Sequence, residues 1–152
     1  TTQLEDSSLV CRRFMTSSGV TIASPEYLAE FGTPSHPSEL VNHKTIAYSN
    51  LKQPNTWTYQ TKSGEEVVVN LDSHVITNSP ELELELCRNG QGITRMPLFN
   101  LSDELETGRL VTLFDDFAPL EINVFLVYAS RKHMSAKVRV FIDFIMAELG
   151  SV

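Results

Sequence analysis

Cysteine is scarce in this chain: Cys11 and Cys87 are the only two in 152 residues. Two thiols do not make a disulfide framework, and free thiols persist in a reducing, cytoplasmic setting, which is the localisation expected here. Positive charge is also short. Twelve Lys and Arg face nineteen Asp and Glu, for a net charge of −7. Such a surface repels phosphate backbones, so direct nucleic-acid binding by this segment is not expected. No stretch approaches the roughly 18 apolar residues of a membrane span, so no membrane partner is expected. "TTQLEDSSLV" (Thr1–Val10) has neither the basic region nor the apolar core of a signal peptide. Low-complexity tracts, charge blocks and internal repeats are missing as well.

Chemistry-bearing motifs are equally thin. His36, His43, His74 and His133 are scattered, with no pair at zinc-motif spacing, so no metal site is expected. No GxSxG elbow offers a serine nucleophile. "NGQGIT" precedes a strand instead of opening a helix, which suits a helix end and turn better than a dinucleotide loop. Asp115-Asp116 falls in a loop, where a solvated turn is the plainer account than a metal or catalytic role. No cofactor is implied, and the chain does not read as an enzyme.

What is present is an ordinary globular composition, 41% hydrophobic and 20% charged, at one domain's length. Strands and helices mix throughout. "GVTIAS" reads as a buried strand that ends at Ser24-Pro25, an N-cap followed by a first-turn proline. A short helix "PEYLAEF" should stop at Gly32, with a second entered at Pro37 or Ser38. "KTIAYS" is a strand. "TWTYQTKSGEEVVVNL" is a hairpin with Trp57 and Tyr59 on one side. "SHVITN", "QGITRMP", "RLVTLF" and "EINVFLVYAS" are further strands, and "NLSDELETG" looks like a helical turn.

"SPELELELCRNGQG" (Ser79–Gly92) alternates like a strand but is bounded like a helix. Pro80 cannot donate to a ladder and fits a first helical turn. Asn78 or Ser79 can cap it, with Glu81 completing a capping box from Asn78. Glu81, Glu83 and Glu85 sit near the positive end of the helix dipole, and Asn89-Gly90 offers a stop. The segment is therefore expected as a helix between two strands, a βαβ unit of an α/β fold with parallel strands. Ligands in such folds collect at strand C-termini and helix N-termini, which singles out the Asn78-Ser79 corner.

Several phrases occur together in one order: "LEDSSLVCRRF", "VTIASPEYLAEFGTPSHPSELVNH", "NSPELELELCRNGQGITRMP", "LETGRLVTLF" and "VFLVYASRKHMSAKVRVFIDFI". Together they resemble the effector-binding domain of LysR-type transcriptional regulators. That resemblance covers nearly the whole chain. It implies an α/β, type II periplasmic-binding-protein-like lobe plus the C-terminal helix that returns to the other lobe. On that pattern residues 1–12 are a hinge and a remnant of lobe I, 13–130 are lobe II, and 131–152 are the returning helix. The family's winged helix-turn-helix, linker helix and most of lobe I would precede this segment, so DNA would be reached only through that missing part. A homo-oligomer is the expected assembly.

The resemblance also implies a small-molecule effector, often an anion, held between lobes. The lobe II wall would comprise Thr77, Asn78 and Ser79, with Ile93 and Thr94 on the following strand, and Ser7 and Ser8 near the hinge. For Asn78 and Ser79 plain helix capping is the competing account. Arg95 stands where an apolar residue is expected and either faces the cleft or emerges at the surface. Two other readings stay open: a fragment of a periplasmic-type solute-binding protein, and a redox sensor through the thiol of Cys87. In the last helix, Val138, Phe141, Ile142, Ile145 and Leu149 share one face. Burying four such side chains is worth roughly 6–12 kcal/mol, so the face is expected to pack on lobe II or on a neighbouring chain.

Overall fold

A computed structural model of the protein describes residues 9–129 and 134–149. Ser7 and Ser8, the expected hinge serines, lie outside the described residues. The chain divides into two compact units, Ser18–Leu120 on one hand and Thr1–Ser17 with Glu121–Val152 on the other.

The larger unit is built on a sheet. Its strands are β1 (Leu9–Ala23), β2 (Thr45–Tyr48), β5 (Val75–Thr77), β6 (Ile93–Pro97) and β7 (Val111–Leu113), in the order β5-β2-β6-β1-β7. β2 runs parallel to β5 and β6, with Ala47 opposite Ile76 and Ile46 opposite Thr94. β1 is antiparallel to both β6 and β7. Four strands therefore run one way, and their C-terminal ends define one edge of the sheet. β3 (Thr56–Gln60) and β4 (Glu66–Asn70) form the expected hairpin, with Trp57 opposite Val69.

Local sequence explains the helices. Ser24 caps α1 (Pro25–Phe31) by accepting the Tyr27 N–H at 3.1 Å, and Gly32 ends it at φ 88°. The second expected helix is a 3-10 turn, Pro37–Asn42. α2 (Pro80–Arg88) is helical, so the end signals outweigh the Glu-Leu alternation. It packs on β2, β5 and β6. The expected βαβ unit is wider than the sequence suggested, because β2 inserts between β5 and β6. Gly92 allows the close start of β6: a Cβ there would lie 2.9 Å from the Lys44 carbonyl oxygen. "NLSDELETG" forms turns without a regular α-helix.

Two apolar clusters form. Ala23, Tyr27, Trp57, Tyr59 and Ile93 make one, on the side of α1 and the hairpin; Ile22, Ile46, Leu84, Cys87 and Met96 make the other, under α2. Adjacent Ile22 and Ala23 point to different clusters, as strand alternation requires.

The smaller unit contains the N-terminal half of β1, β8 (Leu120–Ala129) from Glu121 onward, which pairs with β1, and α3 (Ala136–Leu149). Ser135 starts α3, accepting the Val138 N–H at 3.3 Å. Ile142 is buried and Ile145 half-buried, but Val138 and Phe141 remain 45% and 60% exposed. Within the chain, this face is therefore covered at Ile142 and in part at Ile145 only. The Leu149 side chain lies outside the described residues. Among the described residues no helix is long and apolar enough to cross a membrane.

Candidate functional site

The α2 corner follows from β5. Ser49 N–H donates to the Thr77 carbonyl at 2.9 Å, tying the ends of β2 and β5 together. The Ser79 N–H folds back onto the Thr77 hydroxyl at 3.1 Å. Ser79 is the N-cap: its hydroxyl oxygen accepts the Leu82 N–H at 3.2 Å and its proton goes to Glu81 Oε2 at 3.1 Å. The capping box anticipated from Asn78 is therefore replaced by a cap at Ser79. Asn78 is left exposed beside it. First-turn N–H groups have no intrahelical acceptor and give the corner a partial positive charge.

Ile93 and Thr94, expected on the same wall, are instead 0% exposed. β6 is an interior strand between β2 and β1, so its side chains meet the core on both faces. The Thr94 hydroxyl lies 2.9 Å from the Ile46 carbonyl and also bonds Glu83. Thr94 holds α2 from beneath, while Ile93 faces the α1 and hairpin side; neither side chain reaches solvent. Arg95 is half-buried. Its guanidinium lies 5.3 Å over both Trp57 and Tyr59 and donates to the Thr58 carbonyl at 3.0 Å.

Cys87 is 0% exposed, and burial pushes its thiol up to about 12. Its Sγ–H points at the Ile22 carbonyl at 3.5 Å. A redox sensor needs an accessible thiolate, which Cys87 does not present in this structure.

A cavity of about 300 Å³ opens elsewhere in the Ser18–Leu120 unit. Ser18, Thr21, Tyr59, Thr112, Phe114, Asp115 and Phe117 are among its walls. Tyr59, Phe114 and Phe117 meet edge to face, with centroids 5.4–6.3 Å apart. Tyr59 Oη and Thr21 Oγ1 are 2.8 Å apart. Phe114 sits at φ 62°, an uncommon conformation for a bulky residue. Sequence reasoning missed this cavity, although its rule applies: β7 runs the same way as β5, so Phe114 also follows a strand C-terminus. The short apolar run "RLVTLF" carried no sign of its direction.

The geometry is that of a lobe with polar and aromatic groups gathered along one sheet edge, and comparison with known proteins gives it a family. Residues 1–150 match the LysR substrate binding domain. The chain belongs to the LysR family. It is 33% identical over 150 residues to the HTH-type transcriptional regulator CrgA of Neisseria meningitidis, covering 98% of this chain and 50% of that protein. It is 30% identical to full-length AphB, the virulence activator of Vibrio cholerae, with a TM-score of 0.79 over 95% of this chain and 49% of that one. Against the CrgA regulatory domain the TM-score is 0.78, at 32% identity, covering 95% and 71%. This LysR domain therefore has the type II periplasmic-binding-like fold, and it spans about half the length of the curated relatives it matches.

Proposed function

We propose that this LysR domain senses a small anionic effector, and that the Ser18–Leu120 unit supplies the Thr77-Asn78-Ser79 corner to it. The observation that carries the reading is the start of α2. An exposed Asn78 and a half-buried Ser79 stand over the first-turn N–H groups, where negative charge is favoured. An effector carboxylate would accept from Asn78 Nδ2 and from the Glu81 N–H, since Pro80 has none and the Leu82 N–H is held by the Ser79 cap, and would displace Glu81 from the Ser79 hydroxyl. Thr94 positions the helix from beneath without touching the ligand, and Ile93 faces away from it. Effector capture between this unit and an upstream lobe would shift subunit geometry, and so control DNA contacts made by an N-terminal winged helix-turn-helix in a homo-oligomer. Family membership favours this over a periplasmic-type solute binder, and the burial of Cys87 disfavours thiol sensing through that residue.

Calorimetric screening of small carboxylates against the two-lobed protein tests the proposal. Asn78→Ala and Ser79→Ala should each weaken a measurable ligand several-fold. Unchanged affinity in both variants removes the site assignment.

A further inference from the structure

Glu83 is a carboxyl group that the sensing mechanism above does not use. It lies one turn inside α2, is 2% exposed, and belongs to the helix face turned to the sheet. Its Oε1 bonds the Thr94 hydroxyl, and that same hydroxyl sits 2.9 Å from the Ile46 carbonyl oxygen. A threonine hydroxyl carries one proton. If Glu83 were a carboxylate, two acceptors would compete for that proton and one buried oxygen would face another without a hydrogen between them. If Glu83 is a carboxylic acid, it donates to Thr94 Oγ1 and Thr94 donates to Ile46. Every group in the chain of bonds is then satisfied.

Among the described residues no ion pair reaches that carboxyl. The ion pairs among the described residues are Arg88 with Glu85 and Glu104, and Arg109 with Asp103. Of the strands under α2, β5 brings no titratable group and β2 brings only Tyr48. β6 brings Arg95, whose guanidinium is turned to Trp57 and Tyr59. On its own helix, Cys87 lies one turn further on, and Glu81 and Glu85 are exposed. Burial correspondingly pushes the Glu83 carboxyl up to about 7, against the opposing effect of the Thr94 bond.

We infer that Glu83 is a proton-holding switch beneath the effector corner: protonated it bonds α2 to β6 and β2, and ionised it loosens that seam and places a negative charge one turn inside the helix. This rests on the reading of the corner as an anion site, because the new charge would oppose an anion at the helix N-terminus. The step is a simple loss of a proton from Glu83 to solvent. Effector affinity should then fall as pH rises through neutrality.

Carboxyl-labelled glutamate in this chain, followed by NMR from pH 4 to 9, reads the proton directly, with Glu83→Gln identifying the resonance. The expected result is a Glu83 midpoint near 7; a midpoint near the ordinary 4.5 overturns the switch. Should Glu83→Gln fail to fold, wild-type protection factors decide. Those of the Leu84–Arg88 amides should drop about tenfold or more between pH 5.5 and 8, and constant protection overturns the loosening. Sulfate then serves as the anion probe, read on the Asn78–Leu82 amides at both pH values. Weaker binding at pH 8 in wild type but not in Glu83→Gln supports the coupling, and equal pH dependence in both overturns it. Sulfate that shifts none of these amides sinks the corner reading and the coupling with it, while the Glu83 midpoint still tells whether the buried proton exists.

Discussion

The Ser79 hydroxyl donates to the carboxylate of Glu81 at 3.1 Å, so the group best placed to greet an anion already holds one from its own helix. Removing that internal competitor should help a ligand. Glu81→Ala is expected to tighten carboxylate or sulfate binding about two- to fivefold, the equivalent of about 0.3–1 kcal/mol for one charge at a helix N-terminus. Titration calorimetry checks the direction; weaker binding would mean that Glu81 assists the ligand.

Ser79 also caps α2. Ser79→Ala should therefore cost about 1 kcal/mol of stability as well as affinity. Ser79→Asp keeps a cap but adds charge, so it should retain most of the stability and still bind anions poorly. Urea unfolding beside calorimetry separates the two effects.

Glu83 gives stability a definite slope with pH. Its folded-state value is raised, so the native state holds a proton that the unfolded state releases. The contribution is full below about 4.5, declines as pH rises, and is lost above about 7. The gap amounts to about 3 kcal/mol at about 1.4 kcal/mol per pH unit. Other carboxylates change over the same range, so the useful quantity is the difference between wild type and Glu83→Gln. Glu83→Gln should gain on wild type steadily from pH 4.5 to 7.5. A difference independent of pH would contradict the assignment.

The two thiols should behave unequally. Cys11 is half-buried while Cys87 is fully buried with its thiol pushed up to about 12. A maleimide or disulfide reagent should modify Cys11 in the native protein and reach Cys87 only on unfolding. Rapid native labelling of Cys87 would restore the sensor reading.

Gly92→Ala tests the packing under the corner. The added Cβ would meet the Lys44 carbonyl oxygen at 2.9 Å, and the two residues immediately precede the paired strands β6 and β2. A loss of about 1–3 kcal/mol is expected, read as a lowered urea midpoint.

Much of this was legible because local signals are strong where chain ends of elements meet. Ser24-Pro25 and Ser79-Pro80 announced two helices through capping and a fixed proline φ, and Gly32 and Gly90 marked where each stops. Trp57 and Tyr59 announced the hairpin by alternation. What local signals do not carry is which strand lies beside which. The insertion of β2 between β5 and β6 made β6 interior and buried Ile93 and Thr94, which had looked like cleft residues. The same lack of strand order hid the cavity beside Phe114. For Glu83 the sequence indicates only a place near the positive end of the helix dipole, shared with Glu81 and Glu85; the packed face shows that it alone of the three points inward.

The most direct measurement of the central claim is an amide chemical-shift map of the two-lobed protein during titration with a carboxylate that binds. The account predicts that the largest changes fall on Asn78, Ser79, Glu81 and Leu82. Changes confined to Tyr59, Thr112, Phe114 and Asp115, with the start of α2 silent, would place the effector in the aromatic cavity and contradict it.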